Sequence, residues 1–87
     1  MLPLNAIGFA MSSPRFNELM VEGEINPDYC LGIKMRRIRN ESSRFSYYEM
    51  YFDFGRPDLS IKDVVATVKI IGPNEFEILE MKFLRQY

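Results

Sequence analysis

The 87-residue chain has no histidine and only one cysteine, Cys30. Histidine is the commonest general base and the commonest metal ligand, so its absence argues against an enzyme or a metal site. A single cysteine cannot form an intrachain disulfide, which favours a reducing, cytoplasmic setting. The five glycines are scattered and do not form the cluster that a phosphate-binding loop needs. We therefore expect a non-enzymatic protein without a cofactor or a metal.

Long hydrophobic runs are also lacking. No apolar stretch approaches the roughly 18 residues that cross a membrane, and the N-terminal segment lacks the basic leader of a signal peptide. Hydrophobic residues make up 47% of the chain and charged residues 26%, as in ordinary globular proteins. A chain of this length builds one domain with a thin core. We expect a single domain over residues 1–87, located in the cytoplasm and without a membrane partner.

Alternating apolar and polar residues predict a sheet. The stretches with the pattern or composition of strands are 17–25, 29–39, 44–54 and 76–85. For the first stretch, a helix beginning at residues 13–14 is the alternative. Residues 26–28, Asn-Pro-Asp, carry turn chemistry, so the first two strands are predicted to form a hairpin. In the second strand, a β-bulge near residues 36–37 would return Ile38 to the apolar face.

Residues 61–71 fit two patterns. Apolar residues with helical spacing are Ile61, Val64, Val65, Val68 and Ile71, whereas Val64, Ala66, Val68 and Ile70 alternate as in a strand. Ser60 with Asp63 resembles a capping box, and Gly72 followed by proline is typical of a helix end, so we predict a helix. The predicted fold class is α+β, a small single domain with a mostly antiparallel four-stranded sheet and one helix. An all-β small barrel or sandwich, with 61–71 as a strand, is the alternative.

The stretch RFSYYEMYFDF, residues 44–54, contains six aromatic residues, half of the chain's five tyrosines and seven phenylalanines. By parity, the core side of this strand carries Tyr48, Met50, Phe52 and Phe54, and the other side carries Phe45, Tyr47, Glu49, Tyr51 and Asp53. One helix of about eleven residues is only about 16 Å long and cannot cover both sides. We therefore predict that Phe45, Tyr47 and Tyr51 form an interface with another protein or with a second copy of the chain. Cover by the N-terminal arm and simple exposure are the alternatives.

Five cations lie within eleven residues: Lys34, Arg36, Arg37, Arg39 and Arg44. Next to aromatic rings, such a cluster could bind single-stranded nucleic acid or a nucleotide, with Arg37, Arg39 and Arg44 as the main carriers. In the predicted hairpin, however, the acidic residues Glu18, Glu22 and Glu24 would lie beside these cations and neutralise them. The net charge of −1 also lacks the basic excess of most nucleic-acid-binding domains.

These features favour a small inhibitor or adaptor, a class that includes accessory proteins of phages. We expect it to form a homodimer and to act through protein–protein contacts on the aromatic side of the sheet. Binding of single-stranded nucleic acid or a nucleotide through the basic cluster is the alternative function.

Overall fold

The computed structural model describes residues 3–39, 42–55 and 61–85. Its elements are α1 (Asn5–Met11), α2 (Pro14–Glu22), a 3-10 turn (Pro27–Tyr29), β1 (Gly32–Ile38), β2 (Ser46–Asp53), β3 (Ile61–Gly72) and β4 (Glu75–Arg85). The strands pair antiparallel in chain order, β1-β2-β3-β4. The predicted α+β class and the four-stranded antiparallel sheet are confirmed. The all-β alternative is wrong because two helices precede the sheet, although its strand at 61–71 is correct.

The core lies between one face of the sheet and the two helices. Phe16 of α2 meets Phe52 edge-on, with 5.4 Å between the ring centroids, and its centroid is 6.4 Å from that of Phe54. Phe9 of α1 reaches Phe76 of β4 at 5.4 Å. Side chains that are at most 1% exposed are Ala6, Ala10, Leu19, Met50, Phe52, Val64, Ala66 and Val68. The side of the aromatic strand predicted to face the core therefore does so.

The strand predicted at 17–25 is wrong, since most of this stretch belongs to α2. Ser13 caps the helix, because its Oγ accepts a hydrogen bond of 3.2 Å from the Phe16 amide. Pro14 suits the first turn, where a missing N–H has no cost. The residues that α2 buries are Phe16, Leu19 and Met20. Their spacing is helical, whereas Val21, which made the stretch look alternating, is 70% exposed. The alternative prediction, a helix beginning at residues 13–14, is confirmed.

The helix predicted at 61–71 is also wrong, because this stretch is strand β3. β3 lies between β2 and β4, so both of its faces need apolar side chains. Val64 and Val68 point into the core and are fully buried, while Val65 lies on the other face and is 8% exposed. The apolar residues that had helical spacing therefore belong to the two opposite faces of one strand. Gly72 ends the strand at the hairpin turn to β4, and Ser60 lies outside the described residues.

Strand register decides which side chains share a face. β1 pairs with β2 without interruption from Gly32↔Asp53 to Ile38↔Tyr47, so the bulge predicted near residues 36–37 is absent. The register shifts instead between β3 and β4, next to Thr67. As a result, β4 packs four side chains against the core, namely Phe76, Ile78, Met81 and Phe83.

Both short helices are tied to the β3–β4 hairpin. Asn5 Nδ2 donates to the Pro73 carbonyl at 3.1 Å and to Asn74 Oδ1 at 2.7 Å. Arg15 Nε of α2 donates to the Met81 carbonyl of β4 at 3.1 Å. These bonds fix the helices over one face of the sheet. Within the described residues, neither helix has the length and apolar character needed to span a bilayer.

Candidate functional site

One face of the sheet carries no helix, and we call it the open face. Strand pairing arranges its side chains in three rows, Lys34–Tyr51–Val65–Lys82, Arg36–Glu49–Thr67–Glu80 and Ile38–Tyr47–Lys69–Glu77. Asp53 and Asp63 lie opposite each other beyond the first row. Phe45 lies beyond the third row, at the other end of β2. In the part of the chain that the structure describes, no helix or strand covers these rows, because the N-terminal arm packs on the opposite face.

The three aromatic residues predicted as an interface lie on this face, and all three are partly exposed. Phe45 is flanked by two cations, with Arg44 Cζ 5.4 Å and Lys69 Nζ 4.4 Å from its ring centroid. The Tyr47 hydroxyl donates to Ser43 Oγ at 3.0 Å. Tyr51 stands in its row beside a lysine and a valine. The rings therefore form a column along β2, with Glu49 between Tyr47 and Tyr51 and with Asp53 at its end.

The middle of the open face is neutralised within the chain. Arg36 Nε donates to Glu49 Oε1 at 2.9 Å, across the β1–β2 pairing. This hydrogen bond, together with the charge of the same carboxylate, raises the pKa of Arg36 above its ordinary value, so the guanidinium remains a cation. At the β4 edge, Lys82 Nζ lies 3.1 Å from Glu80 Oε1.

The acids predicted to neutralise the basic cluster are elsewhere. Glu18 and Glu22 lie on α2, over the opposite face of the sheet, and Glu18 pairs with Arg15 at 3.2 Å within that helix. The predicted neutralisation of the cation cluster by Glu18 and Glu22 across a hairpin is therefore wrong. Its premise, a hairpin formed by residues 17–39, does not exist.

Along the two central strands, the ends of the open face carry opposite charge. The acidic end holds Asp53 and Asp63, which are Cα partners. The basic end holds Lys69, whose ammonium leans over the Phe45 ring, and Arg44 beside it. Lys69 is six residues from Asp63 along β3, which corresponds to about 20 Å at 3.3 Å per residue. The open face is thus a dipolar surface with tyrosines between its poles.

At the basic end, a depression of about 580 Å³ gathers part of the predicted cation cluster. It is lined by Arg37, Ile38, Arg39, Ser43, Arg44, Phe45 and Ser46, and we call it the arginine groove. Among the lining residues that the structure describes, none carries a carboxylate. Lys34 does not join them; it borders a second depression with Tyr51, Asp53 and Asp63. Arg36 is held by Glu49 on the open face. The cluster is therefore split, and three of its five members converge.

Comparisons with protein-family models, curated proteins and solved structures gave no match. The functional argument therefore rests on this geometry. Sequence reasoning identified the three rings and the five cations but missed the part played by Lys69, Asp53 and Asp63. Their arrangement depends on the β2–β3 register, which became visible only once residues 61–72 were known to form a strand.

Proposed function

We propose that the chain is a non-enzymatic binding protein, a small inhibitor or adaptor of the cytoplasm, whose open face contacts another protein chain. The observation that supports this proposal is the one-sided cover of the sheet. Both helices pack on the core face, while Phe45, Tyr47 and Tyr51 are partly exposed on the other. Tyrosine combines a large apolar area with a polar tip, and ordering it costs little entropy, so such a column suits a protein contact.

The size of the open face fits this role. Four strands about 4.8 Å apart, each about nine residues long at 3.3 Å per residue, give a face of about 19 by 30 Å, or about 570 Å² in projection. A standard interface takes about 800 Å² of accessible surface from each partner. Since side chains add relief to the projected area, the open face supplies most of such an interface. A small ligand would leave most of it bare.

Site-specific photo-crosslinking tests the proposal. In cells of the source organism, Tyr51 is replaced by benzoylphenylalanine, an aromatic photo-crosslinker of similar shape. The matched control carries the same residue at Glu22, which is exposed near the end of α2. We expect a discrete protein adduct from position 51 and none from position 22. A mass of two chains would indicate a second copy, and another discrete mass a different protein.

Two results would contradict the proposal. Equal labelling from both positions, or no adduct from position 51, would show that the open face has no protein partner. An adduct from position 51 that nuclease removes would assign the face to nucleic acid instead.

The arginine groove favours a second candidate function, binding of single-stranded nucleic acid or a nucleotide. Three guanidinium groups around one depression suit phosphate oxygens, and the Phe45 ring beside them can stack on a base. If Arg37, Arg39 and Arg44 each neutralise one phosphate of a single strand, the logarithm of the affinity should fall with the logarithm of the salt concentration with a slope of about −2. This corresponds to a loss of about 20-fold between 50 and 200 mM salt.

Titration of labelled single-stranded DNA and RNA at these two salt concentrations tests the candidate. Arg39→Gln and Arg44→Gln should each weaken binding and reduce the slope by about 0.7. The control is Lys82→Gln, which removes a cation on the β4 edge outside the groove. No measurable binding at 50 mM salt, or equal losses in all three variants, would eliminate the groove as a phosphate site.

A further inference from the structure

On the basis of the proposed function, we infer that the protein on the open face is a second copy of the chain, related by a two-fold axis that runs across the strands. This axis sets Tyr47 of each copy against Tyr51 of the other, and Asp53 of each copy against Lys69 of the other.

Face-to-face packing of identical sheets leaves few arrangements. Packed sheets lie about 10 Å apart with their strands within about 30° of alignment. A symmetric dimer is built around a two-fold axis, which for two facing sheets lies in the plane between them. The axis can therefore run either along the strands or across them, and the two choices bring different residues together.

An axis along the strands is disfavoured by charge. It would set β2 of one copy over β3 of the other and β1 over β4, with each row facing the same row. The acidic end of one copy, with Asp53, would then lie on the acidic end of the other, and the basic end, with Lys69, would lie on the basic end. Both contacts bring like charges together, which disfavours association.

An axis across the strands, through the Arg36–Glu49–Thr67–Glu80 row, avoids these contacts. It places each strand over the same strand of the second copy, so that the first row of one copy faces the third row of the other. Tyr47 then faces Tyr51, and Lys82 faces Glu77. The middle row faces itself, so Arg36, Glu49 and Glu80 each lie opposite the same residue of the second copy. These charges are already paired within each chain, Arg36 with Glu49 and Glu80 with Lys82.

The same axis also brings the two ends of the open face together. Asp53 of one copy faces Phe45 of the other, and the Lys69 ammonium lies 4.4 Å from the centre of that ring. The acidic end of each copy thus meets the basic end of its neighbour, twice in each dimer. Within one chain, Asp53 and Lys69 are separated by about 20 Å, since Asp53 pairs with Asp63 six residues away from Lys69. This separation exceeds the Debye length of about 8 Å at physiological salt, so the two charges interact only between copies.

The area agrees with a reversible dimer. Two open faces contribute about 1,100 Å² in projection, and more in accessible surface. This value is above that of most crystal-packing contacts, about 800 Å², and near the lower limit of standard interfaces, about 1,200 Å². It is well below the 2,000 Å² or more that is typical of obligate dimers, so copies should exchange freely in solution.

Charge reversal with mixing tests the inference. Purified wild type, Asp53→Lys and Lys69→Asp are compared by sedimentation equilibrium between about 1 and 200 μM. We expect the wild type to dimerise, and each variant alone to dimerise about a hundredfold more weakly, at about tenfold for each of the two symmetry-related contacts. An equimolar mixture of the two variants should recover dimers of wild-type affinity, because every reversed charge then faces its opposite.

The mixture also controls for folding, since a misfolded variant could not recover the dimer. Asp28→Lys makes the same charge change on the exposed 3-10 turn, away from the open face, and should leave the dimer unchanged. A wild type that stays monomeric at 200 μM, variants that dimerise as well as the wild type, or a mixture that stays monomeric would each overturn the second-copy assignment. Crosslinking from position 51 to a different protein would still support the proposed function, so the two failures are distinguishable.

Discussion

Replacing Val64 and Val65 by alanine, one at a time, measures what the one-sided cover of the sheet contributes to stability. The two valines are consecutive on β3; Val64 is fully buried on the core face, and Val65 lies on the open face. Each substitution removes the same two methyl groups and makes the same change in β propensity. A difference between the two changes in the free energy of unfolding therefore reports what lies over each side chain.

The expected magnitudes follow from the packing. Val64 lies between Phe52 of β2 and Phe83 of β4, beneath the helices. Loss of two buried methyl groups costs about 1.6 kcal/mol in transfer free energy. The cavity that remains among packed neighbours adds about 1 kcal/mol, so Val64→Ala should lower the free energy of unfolding by about 2 to 3 kcal/mol. Val65 is 8% exposed, so its two methyl groups lose nearly the same transfer free energy, but no described helix or strand lies over it to enclose a cavity, and the total loss should stay at about 1.5 kcal/mol.

Urea denaturation followed by far-UV circular dichroism measures both values. With a slope of about 1 kcal/mol per molar urea, the midpoint should fall by about 2 to 3 M for Val64→Ala and by about 1.5 M for Val65→Ala. The protein is held near 1 μM, where a weak dimer is dissociated. Equal shifts in the two variants would refute the one-sided core, because they would require equal cover on both faces.

Two further predictions concern the backbone. Ser13→Ala should lower the free energy of unfolding by about 1 kcal/mol in thermal melts, because the N-terminal amides of α2 lose their side-chain acceptor. Ser12→Ala removes a hydroxyl that donates to the Gly8 carbonyl of α1 but accepts from no amide of α2, so it is the control, and an equal loss there would contradict the role of Ser13 as N-cap. Gly55→Ala should cost about 1 to 2 kcal/mol, since its φ of +57° suits glycine and an added Cβ would meet Leu31. Gly32→Ala faces open space and should be tolerated; equal losses at both glycines would argue against backbone strain at Gly55.

Three of the four strands were predictable because their local pattern agrees with their environment. The predicted strands 29–39, 44–54 and 76–85 overlap β1, β2 and β4. The other two predicted elements have the wrong type: the strand predicted at 17–25 is mostly helix α2, and the helix predicted at 61–71 is strand β3. In α2, the buried stripe begins at Phe16, upstream of the stretch that seemed to alternate. In β3, the demand for apolar residues on both faces arises from its two neighbours, a long-range property that a local window does not contain.

The candidate site was predictable to the extent that it depends on a single strand. Parity alone placed Tyr47 and Tyr51 away from the core, and the structure agrees. The separation of charge between Asp53 and Lys69 was out of reach, because it depends on how β2 and β3 align. The sequence predicts Arg37, Arg39 and Arg44 as the main carriers of anion binding, but it does not predict that they converge. Their convergence results from the loop side of the β1–β2 hairpin, where the lining residues meet.

The two outer strands of the sheet are protected against further strand addition in different ways. The pairing of β4 with β3 has register shifts along its length, and Arg15 Nε donates a hydrogen bond to the Met81 carbonyl. β1 is a regular seven-residue strand whose protection is the charge of Lys34, Arg36 and Arg37. Salt and polyanions screen the charges that protect β1, whereas they do not affect the register shifts that protect β4. Aggregation of this protein at high ionic strength should therefore begin at the β1 edge, with fibrils that grow by adding strands there.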